Sequence, residues 1–551
     1  MEFNLAQVFD AISDAIADRV CLQSATRSLT YGEVGERTSR LANALVERGF
    51  SVRAERGELA SHESGQDHLA LYLHNCPEYL EGMLGAYKAR AVPFNVNYRY
   101  VAEELRYLFA DSNARGVVFH SRFAPLLEQI RGDLPNLSVF IQVPDDSNQP
   151  LLDGAEWYDD VLATASPVIS DALRASWSPD DLYMLYTGGT TGMPKGVIWR
   201  QADIFGAAMG GRPYGAAAEL DSIDAFVTQA TNGGINIMPT PPFMHGAAHW
   251  TAFIGFTQGA TLTLQSVVDR FDAADVLSTI EKFRVNTIVL VGDAFARPLI
   301  DEIERGDYDI GSLFVLTNGG AAMSVGVKQK LLEVVPGAMI IDGIGSSETG
   351  QQAFQVSAAG KDVVTGSFDP TPGARVLNES LDSLIGADDE TVGWFAQTGR
   401  VPLGYFGDEA KTARTFPTID GVRYSVPGDR ARHTSAGSIE VLGRDSVTIN
   451  SGGEKIFAEE VEAALAAHPD VFDVVVCGRP SERWGNEVTA IVQLREGAAE
   501  DEASLLAEAE KHIARYKLPK AFVFVPLVQR SPSGKADYRW AKSIAEQDVT
   551  A

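Results

Sequence analysis

One run of small, hydroxylated and cationic residues has the composition for phosphate chemistry: Tyr186-Thr187-Gly188-Gly189-Thr190-Thr191-Gly192-Met193-Pro194-Lys195-Gly196-Val197. Three glycines, three threonines and a lysine fall within the ten residues from Tyr186 to Lys195. Glycine lets backbone approach a ligand closely. Threonine hydroxyls and backbone N–H groups donate to phosphate oxygens, and lysine adds a point charge. The run is not a Walker A loop, which requires Gly-Lys-Ser/Thr in succession; here Pro194 precedes Lys195 and Gly196 follows it. An ordinary Gly/Thr turn is the bland alternative. The apolar residues Leu182 to Leu185 just ahead read as the end of a buried strand.

The rest of the chain must position that loop. At 551 residues it exceeds one ordinary domain. A hydrophobic fraction of 45% and a charged fraction of 22% are those of a folded protein. The net charge of −28 disfavours general nucleic-acid binding and docking on anionic membrane. It leaves room for ATP in a local cationic pocket. Cys21, Cys76 and Cys477 show no metal spacing and no disulfide framework, so a reducing compartment is expected. The first residues carry Glu2, Asp10, Asp14 and Asp18, unlike a signal peptide. No apolar run reaches the ~18 residues of a membrane helix. A soluble cytoplasmic protein with no membrane span is the expectation.

Periodicity predicts alternating strands and helices. Leu5, Val8, Phe9, Ile12 and Ile16 recur at helical spacing. Thr30 and Glu33 form a capping-box pattern ahead of a long helix. Leu69–Leu73 and Ala91–Val96 read as strands around a helix opened by Pro77. After a loop between Val143 and Trp157 the alternation resumes, with a helix over Phe271–Phe283 and strands at Thr287–Val291, Phe314–Thr317 and Met339–Ile341. Such alternation predicts parallel βαβ units. From about Phe354 to Tyr424 the apolar runs shorten, as in a small antiparallel β region. Beyond Arg444 the pattern resets: helix over Lys455–Ala467, strands over Val471–Val476 and Val488–Leu494, helix over Glu502–Tyr516. The expected fold is α/β, with a large N-terminal domain over 1–443 and a small α+β C-terminal domain over 444–551.

Five further stretches accompany the loop in fixed order: Asn318-Gly319-Gly320-Ala321; Asp342-Gly343-Ile344-Gly345-Ser346-Ser347-Glu348; Tyr424-Ser425-Val426-Pro427-Gly428-Asp429; Gly443-Arg444 with Ser451-Gly452-Gly453-Glu454-Lys455; and Arg530-Ser531-Pro532-Ser533-Gly534-Lys535. Together they resemble the adenylate-forming superfamily of acyl-CoA synthetases, luciferases and peptide-synthetase adenylation domains, over nearly the whole chain. Phe94 to Tyr100, Ser451 to Lys455 and Lys535 to Trp540 are most similar to bacterial fatty-acyl-CoA synthetases. The likeness is to the actinobacterial branch that activates long-chain and steroid side-chain acids.

The resemblance implies an enzyme in which a carboxylate attacks the α-phosphate of ATP, giving acyl-AMP and pyrophosphate, and CoA then takes the acyl group. Two anions meet, so catalysis would rest on charge neutralisation and positioning. ATP, Mg²⁺ and coenzyme A are the implied cofactors. Thr187, Gly188, Gly189, Thr190, Thr191, Gly192 and Lys195 would cradle the β- and γ-phosphates. Glu348 would hold Mg²⁺, a cation that prefers hard oxygen ligands, and Ser347 would donate to the α-phosphate. Asn318, Gly319, Gly320, Ala321, Asp342, Gly343 and Ile344 would form the adenine site. Asp429 would accept from both ribose hydroxyls, assisted by Arg444. Lys535 would reach the α-phosphate from a mobile C-terminal domain, and Gly452 and Gly453 would line the pantetheine path. A homodimer is implied by the resemblance alone.

The sequence departs from the family pattern twice. Ile344 stands where an adenine-stacking aromatic is usual. Ser446 stands at the usual hinge aspartate, with Asp445 one place early. His245 has two readings, an acyl-pocket residue or a hydrogen-bonded structural histidine. The small residues Gly206, Ala207, Ala208, Gly210, Gly211, Gly233 and Gly234 also have two, room for a long acyl chain or tight helix packing. Transfer to a non-CoA acceptor and a non-catalytic nucleotide sensor are the competing functions. Lys195, Glu348, Asp429 and Lys535, all present, weigh against the sensor.

Overall fold

The structure, a computed structural model, describes residues 2–187, 193–213, 215–361, 363–451, 454–481, 485–531 and 534–548. They divide into two units, one of 1–288, 347–350 and 399–417, the other of 289–346, 351–398 and 418–551.

In the first unit an all-parallel sheet runs in the order Val92–Asn95, His68–Tyr72, Ala114–His120, Val139–Val143, Glu156–Trp157. Its inner strands are buried on both faces, which is why they read as continuous apolar runs. Period-two alternation divides one strand between two cores. Leu69 and Leu71 pack with Leu41, Leu80 and Leu84 of the helices Tyr31–Glu47 and Pro77–Lys88. Ala70 and Tyr72 face the other way, toward Leu105, Phe109 and Phe123. The capping box forms as predicted: the Thr30 side chain accepts from Glu33 N–H, and the Glu33 carboxylate accepts from Thr30 N–H at 2.7 Å. Pro77 sits in the first turn of its helix, where a missing N–H costs nothing. Lys88, fully buried on that helix, bonds to Asp10 at 2.6 Å, Gly35 O at 3.0 Å and Ser39 Oγ at 3.1 Å. That fixes the first helix, Leu5–Ala15, to the sheet's helical cover.

In the second unit Val315–Gly319 and Met339–Ser346 run parallel, with Asn318 opposite Asp342 and Gly319 opposite Gly343. An antiparallel region follows, running from Ser367–Pro370 through Ile439–Arg444, Asp429–His433 and Gly393–Thr398 to Val422–Ser425. Its core is Phe368, Val376, Phe395, Ala431 and Ile439. The C-terminal stretch has its own sheet, in which Gly485–Leu494 lies between Ile449–Ser451, Val471–Ser481 and Ala521–Phe524. Its core is separate, built on residues such as Val461, Leu465, Val474 and Val492. The chain is thus α/β, with a large N-terminal part and a small C-terminal one.

Two element expectations are revised. The helix after Asp501 is Glu502–Ala509, not a run to Tyr516. Lys511 N–H and His512 N–H reach back only three residues, to Glu508 and Ala509, so the last turn tightens and stops. Lys455 lies in the short strand Glu454–Ile456, opposite Asn450, and the helix begins later, at Ala458. Among the described residues no helix is long and apolar enough to cross a membrane. Cys21, Cys76 and Cys477 are free thiols.

Candidate active site

In the first unit the strands Leu182–Thr187 and Lys195–Arg200 form an antiparallel pair that brings Thr187 directly opposite Lys195. The phosphate-loop expectation therefore has its two ends at one hairpin neck. Gly188, Gly189, Thr190, Thr191 and Gly192 lie outside the described residues. Lys195 Nζ is 3.7 Å from Asp408 and 4.0 Å from Asp111. Burial works against its charge, but a hydrogen bond to Tyr107 and the carboxylates of Asp111 and Asp408 outweigh it, and the ammonium pKa is raised. Asp111 is itself held by the Tyr186 hydroxyl, which donates to it at 2.8 Å.

Glu348 is buried, and its Oε1 accepts from the Tyr405 hydroxyl at 2.8 Å. The neighbouring Ser347 carbonyl accepts from the indole N–H of the fully buried Trp199 at 2.9 Å. A buried carboxylate that accepts from a neutral hydroxyl fits Mg²⁺, which is bound through one or two carboxylates and the substrate's phosphates. Among the described residues no group of three or more His, Cys, Asp and Glu could hold a metal by itself.

His245 precedes the helix Gly246–Thr257 as its N-cap residue, but makes no side-chain cap bond. The structural histidine here is His249, which pairs with the Tyr183 hydroxyl at 2.6 Å and the Phe243 carbonyl at 2.7 Å. Burial lowers its pKa to about 4, so it stays neutral at pH 7. Sequence reasoning missed two asparagines that set this region. Asn95 donates to the carbonyls of Tyr186 and Met244, both at 2.8 Å, and accepts from Tyr186 N–H at 2.7 Å. Asn75 donates to Pro241 O at 2.9 Å and accepts from Phe243 N–H at 2.6 Å. Together they tie the phosphate strand to the segment leading to His245. For Asn95 a polar amide closing an apolar strand was the available signal; Asn75, in the bend between strand and helix, offered none. The small residues resolve toward tight packing: an added Cβ would lie 2.6 Å from Glu219 at Gly206, 2.6 Å from Thr257 at Gly210 and 1.9 Å from Gln258 O at Gly233.

In the second unit the parallel strand ends carry the adenine candidates, as expected where α/β sheets bind ligands. Gly319 and Gly343 leave a flat floor, since a Cβ on either would stand over the neighbouring strand's carbonyl at 3.6–3.7 Å. Asn318 donates to Asp342 at 2.7 Å and to Ala321 O at 3.0 Å, and accepts from Gly292 N–H at 2.7 Å. The other oxygen of Asp342 pairs with the buried Lys328 at 2.7 Å. Asp342 is therefore a braced, buried carboxylate more than an open acceptor. Ile344, half-buried, packs on the Phe368 core.

Asp429 and Arg444 face each other across adjacent strands, with Arg444 Nε 3.3 Å from Asp429 Oδ1. Lys535 lies in a turn closed by Ser531 N–H to Lys535 O at 2.8 Å and braced by the Arg530–Asp473 pair at 2.5 Å. Gly534 has φ +74° there, a conformation that favours glycine. The structure brings Lys535 beside Gly320: its Cε would lie 3.7 Å from a Cβ there. Gly452 and Gly453 lie outside the described residues.

Glu459, half-buried, stands against Gly443-Arg444, and Glu462, also half-buried, lies one turn along the same helix, Ala458–Ala466. Glu459 accepts weakly from Arg444 N–H at 3.4 Å and leaves Oε2 without a hydrogen-bond partner. Glu462 accepts from Val476 N–H at 2.9 Å. Burial raises Glu459 to about 7 and Glu462 to about 8, from an ordinary 4.5. Between pH 4.5 and 8 the folded state therefore holds more protons than the unfolded state, and stability falls as pH rises. Glu462→Gln is expected to flatten that slope and to stabilise the protein at pH 8 by more than about 1 kcal/mol. Denaturant midpoints at pH 5, 6.5 and 8 check this; an unchanged slope contradicts it.

The α/β fold, with its large N-terminal part and small C-terminal one, has solved counterparts. Solved relatives share it: an anthranilate CoA ligase, AuaEII, in complex with anthranoyl-AMP aligns with TM-score 0.84 at 21% identity, covering 100% of this chain and 98% of that one. An ATP-bound MatB from Rhodopseudomonas palustris aligns with TM-score 0.79 at 22% identity, covering 98% and 99%. The AMP-binding enzyme family model matches residues 9–384 and its C-terminal domain model residues 460–535. A medium-chain acyl-CoA ligase, Mig, of Mycobacterium avium is 53% identical over 98% of both chains. A medium/long-chain-fatty-acid and 3-oxocholest-4-en-26-oate CoA ligase of Mycobacterium tuberculosis is 40% identical, over 98% of this chain and 96% of that one. The chain belongs to the AMP-binding enzyme family, in its acyl-CoA ligase branch, which works with ATP, Mg²⁺ and coenzyme A.

Proposed function

We propose that this chain joins a medium- or long-chain fatty acid to coenzyme A. The acid's carboxylate attacks the α-phosphorus of ATP, forming an acyl–phosphate anhydride and releasing pyrophosphate. The CoA sulfur then attacks the acyl carbon, giving the thioester and AMP, and the thiol proton passes to solvent.

Lys195, Thr187 and the intervening Gly188, Gly189, Thr190, Thr191 and Gly192 take the phosphates that leave. Ser347 and Lys535 address the α-phosphate, where charge builds as pyrophosphate departs. Asn318, Gly319, Gly320, Ala321, Asp342, Gly343 and Ile344 hold adenine; Asp429 and Arg444 hold ribose. Glu348 holds Mg²⁺, which when bound neutralises phosphate charge. His245 stands at the acyl carboxylate, and Gly452 and Gly453 admit pantetheine. A domain over 444–551 delivers Lys535 for the first step and turns away for the second. The observation that carries this reading is Lys535 beside Gly320, at the glycine floor of the two strand ends. The free cysteines support a cytoplasmic location; a homodimer, read from the resemblance, is checked by light scattering.

The acid class is supported by the two bacterial relatives, one named for medium-chain acids and the other for medium- and long-chain fatty acids. The second also carries a steroid side-chain acid in its name, and a Rhodococcus rhodochrous relative at 38% identity is named for that acid alone. A steroid side-chain carboxylate is therefore the alternative substrate. Acetate, octanoate, palmitate and a steroid side-chain acid should be compared by kcat/KM. Each buried methylene contributes ~0.8 kcal/mol, so octanoate should exceed acetate by more than about 100-fold. Turnover of the steroid acid without octanoate selects the alternative, and a preference for acetate defeats both.

A further inference from the structure

We propose that Tyr405 and Asp408 are positioning residues that hold the metal carboxylate Glu348 and the phosphate-loop lysine Lys195 in one rigid frame. The inference rests on the roles proposed above for Glu348 and Lys195.

The segment Gly404–Asp408 is bonded on two sides. Toward the phosphate strand, Gly404 pairs with Ile198 and Tyr405 with Val197, and Phe406 N–H donates to Gly196 O at 2.8 Å. Toward the helix Glu409–Thr415, Tyr405 N–H donates to Thr412 Oγ1 at 2.9 Å, and Asp408 caps the helix by accepting from Lys411 N–H at 2.9 Å. The segment therefore moves only with the strand that begins at Lys195. From this frame two side chains reach the candidate site. The Tyr405 hydroxyl, on a residue only 3% exposed, donates to Glu348 Oε1 at 2.8 Å. The Asp408 carboxylate stands 3.7 Å from Lys195 Nζ.

The Tyr405 ring is further pinned by Lys411, whose ammonium lies 4.0 Å from the ring centroid. A carboxylate can rotate between metal-binding poses, and a donor fixed on one oxygen selects among them. Such outer partners commonly contribute 10–100-fold to metal affinity.

The test is binding, read without turnover. Mn²⁺ titrated against protein saturated with a non-hydrolysable ATP analogue, followed by electron paramagnetic resonance, gives a Kd for wild type, Tyr405→Phe, Glu348→Gln and the double variant. Tyr405→Phe is expected to weaken Mn²⁺ about 10-fold, with metal-free analogue affinity unchanged, and to add nothing in the Glu348→Gln background. A change below about twofold, or equal losses in both backgrounds, overturns the proposal. If Glu348→Gln itself leaves Mn²⁺ affinity intact, the reading of Glu348 fails instead, and this inference with it. Should Tyr405→Phe fold poorly, Thr412→Val serves, since it removes the acceptor of Tyr405 N–H without changing charge: a weakened Mn²⁺ affinity supports the frame and an unchanged one counts against it. Asp408→Asn should raise the KM for pyrophosphate in the exchange reaction with kcat held; a fall in kcat alone contradicts its pairing with Lys195.

Discussion

Lys535→Ala is expected to slow acyl-adenylate formation by about 10²–10³-fold, the usual loss when a group aimed at developing charge is removed. The second half-reaction should survive: supplied with pre-formed acyl-adenylate and CoA, the variant should still make thioester at close to the wild-type rate. The reason is positional. Lys535 closes a braced turn beside Gly320, far along the chain from the phosphate loop, and in the proposed mechanism its ammonium would serve the phosphoryl step only. Burial of the supporting Arg530 works against its charge, yet its hydrogen bond and charge pairing with Asp473 outweigh this and hold it firmly cationic. The turn's geometry therefore persists when the lysine tip is removed. Pyrophosphate exchange and single-turnover thioester formation, measured side by side, separate the two halves. Exchange that survives the substitution unchanged would remove Lys535 from the chemistry.

The second large effect is structural. Lys328, with a side chain fully buried, gives its protons to Asp342 at 2.7 Å, Gln355 Oε1 at 3.0 Å and Val364 O at 3.0 Å. Lys328→Ala strips the cation and leaves a buried carboxylate, a change that costs about 3–5 kcal/mol when a buried pair is broken from one side. Asp342 also fixes Asn318, which holds Gly292 and Ala321, so the adenine wall should loosen and the KM for ATP should rise with the loss of stability. Pairing the change with Asp342→Asn removes the orphaned charge and should recover a good part of the stability. Denaturant unfolding of both variants decides the point. A loss under about 1 kcal/mol for Lys328→Ala would mean that the pair does not brace the strand ends.

What the sequence made legible was local. The strand ahead of the Gly/Thr run was legible in the apolar residues Leu182 to Leu185, whereas the strand after it, which sets Lys195 opposite Thr187, was not read. The capping box at Thr30 and Glu33 needs only four consecutive residues. The asparagine and aspartate at 318 and 342 came from the motifs of the family resemblance, and they stand opposite each other on parallel strands. What stayed hidden depends on distance along the chain. Asn95 bonds to backbone 91 and 149 residues away, Tyr405 reaches back 57 residues to Glu348, and nothing near either announces a partner. Lys328 drew no sequence reading, since its acceptors come from three other segments. The glycines near 206–233 fitted an open pocket or tight packing equally well until their neighbours were known.

The central claim is that the Gly/Thr loop and Lys535 serve transfer of an adenylyl group, not of a terminal phosphate. The most direct measurement is the nucleotide and thioester product of one reaction with octanoate, CoA, Mg²⁺ and ATP. AMP, pyrophosphate and octanoyl-CoA in equal amounts are the expected result; ADP and orthophosphate as the nucleotide products would contradict the account.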